Sequence, residues 1–120
     1  MVVLMNFILI ASLALCLQAQ PTDSDRKPDR VVNVSAERFV FNPSKITVKQ
    51  GQLVEFVITS DDTDHGFRIL GTTIDIAIPP SGAGMVRVRF LAREKGKFVF
   101  ECSRPCGAGH NIMRGEIIVK

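Results

Sequence analysis

Twelve residues near one end of the chain, "CSRPCGAGHNIM" from Cys102 to Met113, bring two thiols, an imidazole and a thioether into one short stretch. The pattern is Cys-x3-Cys-x3-His-x2-Met, with Gly107 and Gly109 inside it and Gly115 just beyond. Thiolate and thioether are soft ligands that suit copper, imidazole suits copper or zinc, and a trio of His, Cys and a weaker Met makes an electron-transfer copper site. A mononuclear site of that kind uses one cysteine. Cys102 and Cys106 are spaced so that both sulfurs can point the same way and bridge a pair of metals. A second imidazole must then come from outside the stretch, and His65 in "SDDTDHGF" is the only other histidine.

Other chemistries use the same residues. A structural disulfide between Cys102 and Cys106 closes so small a loop that its entropic gain is modest, and it leaves His110 and Met113 without a role. Two Cys and two His also suit a structural zinc, or a mononuclear copper, with Met113 idle in the zinc case. A copper-delivery or storage protein would use these ligands with open access. An independent enzyme is not expected, because no nucleophile with a candidate base lies outside the metal loop. Asp61, Asp62 and Asp64, next to His65, read as a solvated acidic turn.

The elements that must position these groups read as strands. "VVNVSA" and "RFVF" come first, and "NPSKITVKQGQ" then sets Ile46 and Val48 against Thr47 and Lys49 before Gly51. In "LVEFVITS", Val54, Phe56 and Ile58 share a face. "TTIDIAI" sets Ile74, Ile76 and Ile78 against Asp75 and ends at Pro79-Pro80, which stops a central strand. "MVRVRF" turns Val86, Val88 and Phe90 inward and Arg87 and Arg89 outward. "KFVFEC" puts Phe98, Phe100 and Cys102 in register, and "GEIIVK" closes the chain. No stretch longer than about two turns has helical periodicity. Seven or eight short strands predict a two-sheet β-sandwich. Cys102 ends one strand and Met113 leads into the next, so the ligand loop sits at one pole.

A chain of 120 residues forms one such domain. Its opening, "MVVLMNFILIASLALCLQAQ", contains no charged residue, so residues 1–20 read as a signal peptide or single membrane anchor. Either would export the rest of the chain. Residues 21–30, "PTDSDRKPDR", read as a flexible linker, and residues 31–120 as the domain. The net charge of +3 comes without a dense basic run, which gives a nucleic-acid footprint little support.

The segments "DHGF", "FECSRPCGAGHNIM" and "GEIIVK", preceded by "FVFNPSKITVKQGQLVEFVITS", together resemble the copper-binding cupredoxin domain of cytochrome c oxidase subunit II. That resemblance covers residues 31–120 and implies an all-β, cupredoxin-like Greek-key β-sandwich carrying a binuclear CuA centre of two copper ions. Position by position, it implies that Cys102 and Cys106 bridge both coppers, that His65 and Met113 complete one, and that His110 and the backbone carbonyl of Arg104 complete the other. It further implies an electron-transfer role in the periplasm, free or membrane-anchored. A redox donor such as cytochrome c would supply electrons, and a membrane haem-copper oxidase catalytic subunit is the candidate acceptor. Three departures bear on assembly with an oxidase and leave the copper ligands intact. Arg104 stands where many relatives have a glutamate that helps bind magnesium, which a guanidinium cannot do. The chain has no Trp, the residue through which many relatives receive electrons. It has at most one membrane segment where most relatives have two.

Overall fold

The computed structural model describes residues 22–120. The signal or anchor assigned to residues 1–20 lies outside the described residues. Apolar alternation becomes nine strands: β1 (Arg30–Glu37), β2 (Val40–Asn42), β3 (Lys45–Val48), β4 (Leu53–Ser60), β5 (His65–Ile69), β6 (Asp75–Ile78), β7 (Val86–Leu91), β8 (Gly96–Glu101) and β9 (Arg114–Val119). Among the described residues the one helical element is a single 3-10 turn, His110–Ile112. None of their helices is long and apolar enough to cross a membrane.

Four strands form one sheet in the order β2-β1-β4-β7 and five form the other in the order β3-β9-β8-β5-β6. Both sheets are mixed, because β1 pairs with β4 and β3 with β9 in parallel while the other pairs are antiparallel. Parallel neighbours cannot be joined by a hairpin. The chain therefore passes between the sheets repeatedly, from β2 to β3, β3 to β4, β4 to β5, β6 to β7 and β7 to β8, and each crossing ties one layer to the other. The expected sandwich is the one observed.

Phenylalanines from both layers fill the space between the sheets. Phe41, Phe56, Phe67 and Phe100 are fully buried. Phe67 lies at the centre of this group, with its ring centroid 5.8 Å from Phe41, 5.9 Å from Phe56 and 5.1 Å from Phe100. The Phe41 contact is edge-on, a favourable arrangement of ring quadrupoles.

Two strands, β5 and β4, escape the alternation rule. β5 is short, follows an Asp-rich turn, contains Gly66, and buries every residue except the partly exposed Arg68. Having β6 on one edge and β8 on the other makes β5 an interior strand, and its sequence reads as continuous rather than alternating. β4 is also covered on both faces. Glu55 on its outer side accepts hydrogen bonds from Arg87 Nη1 at 2.8 Å and Arg89 Nε at 3.3 Å. Arg89 Nη1 also donates to the carbonyls of Asp23, Ser24 and Arg26, and Asp29 Oδ2 accepts from Leu53 N at 2.7 Å. The polar stretch before β1 thus lies along the outer face of this sheet.

Candidate metal centre

The two-residue repeat of a strand aims the first ligand. On β5, His65, Phe67 and Ile69 point to the same side, and all three are fully buried. On β8 the same repeat carries inward from Phe100 to Cys102, one residue past the strand end. Met113, fully buried, immediately precedes β9. Cys102 N donates to Met113 O at 3.1 Å and closes the base of the loop between them. The 3-10 turn then folds the loop back, with His110 N donating to Gly107 O at 3.1 Å.

All six residues singled out in the sequence meet at this pole. Cys102 Sγ lies 3.5 Å from Cys106 Sγ, and both cysteines are free and buried. That separation is well beyond a disulfide bond, so no Cys102–Cys106 bridge is present. His65 Nδ1 is 3.9 Å from Cys102 Sγ and His110 Nδ1 is 3.6 Å from Cys106 Sγ. Met113 Sδ is 3.8 Å from Cys106 Sγ, and the Arg104 carbonyl oxygen is 3.1 Å from Cys102 Sγ. One ligand atom from each of His65, Cys102 and Cys106 lies within 4.8 Å of the other two. This donor set is soft and sulfur-rich, with two imidazole nitrogens, which fits copper. Arg104 is exposed, and its carbonyl is the part of it that meets the cluster, accepting from the Cys102 thiol.

The groups behind the ligands were not legible in the sequence. Asp62 is not simply part of a solvated turn: its Oδ1 lies 2.7 Å from His65 Nε2 and its Oδ2 accepts from Arg38 N at 2.8 Å. An ionised carboxylate only accepts, so Nε2 carries the proton and Nδ1 presents its lone pair toward the thiols. Burial opposes ionisation of Asp62, but hydrogen bonds from Arg38, His65 and Thr63 outweigh it and hold the carboxyl below its ordinary range. Cys106 behaves oppositely. Burial first, then the hydrogen bond and charge of Cys102, push its thiol up to about 11, against a smaller pull from the Arg38 charge. Without metal it is protonated at neutral pH, and a metal ion must displace that proton.

Gly66 shows how closely the two loops approach. Its N–H points at Cys102 Sγ, 3.5 Å away, and a Cβ at this position would meet the backbone nitrogens of Ser103 and Arg104 at 2.9 Å and collide with Ser103 Oγ. Backbone cannot step aside as a side-chain tip can. Gly66→Ala is expected to destabilise the metal-free fold by about 1–3 kcal/mol, as overpacking does, and thermal unfolding measures it. A variant as stable as the parent would mean that the loop around Cys102 is looser than this geometry.

Comparison with known proteins points the same way. The cupredoxin-like domain family matches residues 6–119. Cytochrome c oxidase subunit 2 of Thermus thermophilus is 39% identical over 89 residues, which cover 74% of this chain and 64% of that relative. The chain thus spans a little under two thirds of that protein's length. A heme-copper terminal oxidase dimer solved by cryo-electron microscopy contains a chain 30% identical, with a TM-score of 0.64 over 77% of this chain and 65% of that one. The periplasmic domain of subunit II of cytochrome oxidase (CoxB) of Bradyrhizobium japonicum superposes with a TM-score of 0.71 over 79% of this chain and 86% of its own. At 17% identity, that last likeness establishes the fold alone.

Proposed function

The chain belongs to the cupredoxin-like domain family, and on that premise we propose that it is an electron-transfer protein whose paired thiols hold a binuclear CuA centre. The observation that carries this is the pair of free, buried thiols 3.5 Å apart, each with an imidazole Nδ1 within 4 Å. Cys102 and Cys106 would bridge two copper ions, His65 and Met113 would complete one, and His110 and the Arg104 carbonyl the other. When bound, such a centre exchanges one electron while spreading the charge over both metals. The chain's contribution is to fix the donors beforehand: β5, β8 and β9 anchor them at their strand ends, Asp62 sets the His65 tautomer, and burial of both thiols keeps water out.

Two observations favour this role over copper delivery or storage and over a zinc site. Delivery or storage needs ligands that a partner can reach, whereas Cys102 and Cys106 are 3% and 4% exposed. Zinc has no use for a thioether, yet Met113 Sδ faces Cys106 Sγ from a fully buried position.

The similarity to oxidase subunits supports a place in a respiratory chain. In this proposal residues 1–20 export the domain as signal or anchor, residues 21–30 connect it, and residues 31–120 carry the copper on the periplasmic side. A donor such as cytochrome c supplies electrons, and the catalytic subunit of a membrane haem-copper oxidase receives them. Any oxygen chemistry then belongs to that subunit. Electron paramagnetic resonance of the copper-loaded chain tests the centre. The expected spectrum has hyperfine structure from one unpaired electron shared equally by two coppers. A single-copper pattern would replace this proposal with the mononuclear one.

A further inference from the structure

We propose that Arg38 is a positioning residue of the metal centre, holding the Cys106 segment in place and raising the centre's reduction potential through its charge. Arg38 lies in the turn between β1 and β2, on the opposite sheet from every strand that carries a ligand. Its backbone N–H donates to Asp62 Oδ2 at 2.8 Å, and Asp62 Oδ1 is the partner of His65. Its side-chain Nε donates to Cys106 O, also at 2.8 Å. One residue therefore reaches both the His65 side and the Cys106 side of the cluster. The neighbouring Phe39 reinforces the second contact, because its ring covers the backbone of Gly107 and Gly109 so closely that a Cβ on Gly109 would enter it. Together the two side chains clamp the loop from Cys106 to Gly109 against the opposite sheet.

The charge has a consequence of its own. A guanidinium stays protonated under all working conditions. Placed on the carbonyl of a thiolate ligand, it disfavours the more positive, oxidised state of whatever redox centre the thiolates hold. The potential therefore rises. This part rests on the copper proposal above, and the clamp does not.

The test uses the full chain with Arg38→Met and Arg38→Lys. Methionine keeps an unbranched stem and the backbone N–H to Asp62 while removing the guanidinium. In the metal-free protein both thiols are buried, so alkylation by iodoacetamide, mapped to Cys106 by peptide mass, reports opening of the loop. Arg38→Lys keeps the charge without the planar Nε–H donor, so it isolates the clamp and is expected to alkylate about fivefold faster than the parent, the size of effect one lost hydrogen bond produces. Arg38→Met also removes a charge that favours the Cys106 thiolate, so part of its gain in alkylation is offset. In the copper-loaded proteins the midpoint potential should fall for Arg38→Met and return toward the parent value for Arg38→Lys. Parent-like alkylation in Arg38→Lys overturns the clamp, and a parent-like potential in Arg38→Met overturns the charge role. If the parent chain binds no pair of coppers, the functional proposal fails, while the alkylation result still decides the clamp.

Discussion

Replacing Cys106 with serine is expected to abolish the proposed two-copper centre while leaving the fold in place, which makes it the most decisive single substitution at the site. Serine is nearly isosteric, and its hydroxyl can keep a hydrogen bond to the Cys102 sulfur that now lies 3.5 Å from Cys106 Sγ. The cost to the metal-free fold is therefore small, about 1 kcal/mol, set by burying a hydroxyl in place of a thiol. The cost to the metal is large. A hydroxyl oxygen is a hard, weakly acidic donor, and copper prefers thiolate. Copper bound per chain should fall from two to one or none, and the spectrum of a shared electron should vanish. Proton release adds a second readout. Because burial pushes the Cys106 thiol up to about 11, the parent gives up that proton on loading at any pH below this value. Copper affinity in the parent must therefore strengthen as pH rises toward 11 and weaken in acid. The serine variant should release one proton fewer and show a correspondingly shallower pH dependence. A variant that retained two coppers and the shared-electron spectrum would refute the bridging role of Cys106.

The ligand loop could be read from the sequence because its information is local. Cys102, Cys106, His110 and Met113 fall within a dozen residues, and chemistry of type and spacing is preserved whatever the rest of the chain does. The strands that frame it were equally legible where one face is wet, as in β7, whose Arg87 and Arg89 alternate with Val88 and Phe90. β5 was not, because a strand flanked on both edges and buried has no alternation to display, and Gly66, its second residue, carries no side chain to mark a face. The supporting groups were harder still. Asp62 looks like any acid in an acidic turn until Arg38, 24 residues earlier, delivers its backbone N–H to it. Arg38 in turn finds the Cys106 carbonyl across 68 residues of sequence. Such contacts depend on how the two sheets stack, and no local pattern encodes them. The same holds for Arg89, which collects three carbonyls of the polar stretch before β1 from more than 60 residues away.

Phe67→Ala is expected to be the most damaging change to stability, and it should reach the metal site as well. The side chain is fully buried and touches Phe41, Phe56 and Phe100, so its removal leaves a cavity walled by rigid rings that can collapse only in part to fill it. Phenylalanine-to-alanine changes in such places cost about 3–5 kcal/mol. A domain of this size has only about 5–15 kcal/mol in total, so the metal-free variant sits near the edge of folding. At about 4–8 °C per kcal/mol, its melting temperature should drop by at least 12 °C or so. His65 lies two residues upstream on the same strand and faces the same side, so the relaxation that narrows the cavity also loosens a ligand. Copper binds only the folded state, and it therefore acts against the loss: at about 100 times its dissociation constant, a ligand returns about 2.7 kcal/mol. The expected result is a large loss in the metal-free protein and a partial recovery on copper loading, followed by calorimetry on both forms. Recovery smaller than the parent's own gain from copper would measure how far the core distortion reaches His65. A drop of only a few degrees in the metal-free protein would mean that the four phenylalanines do not pack as a unit, and the account of what positions His65 would fall with it.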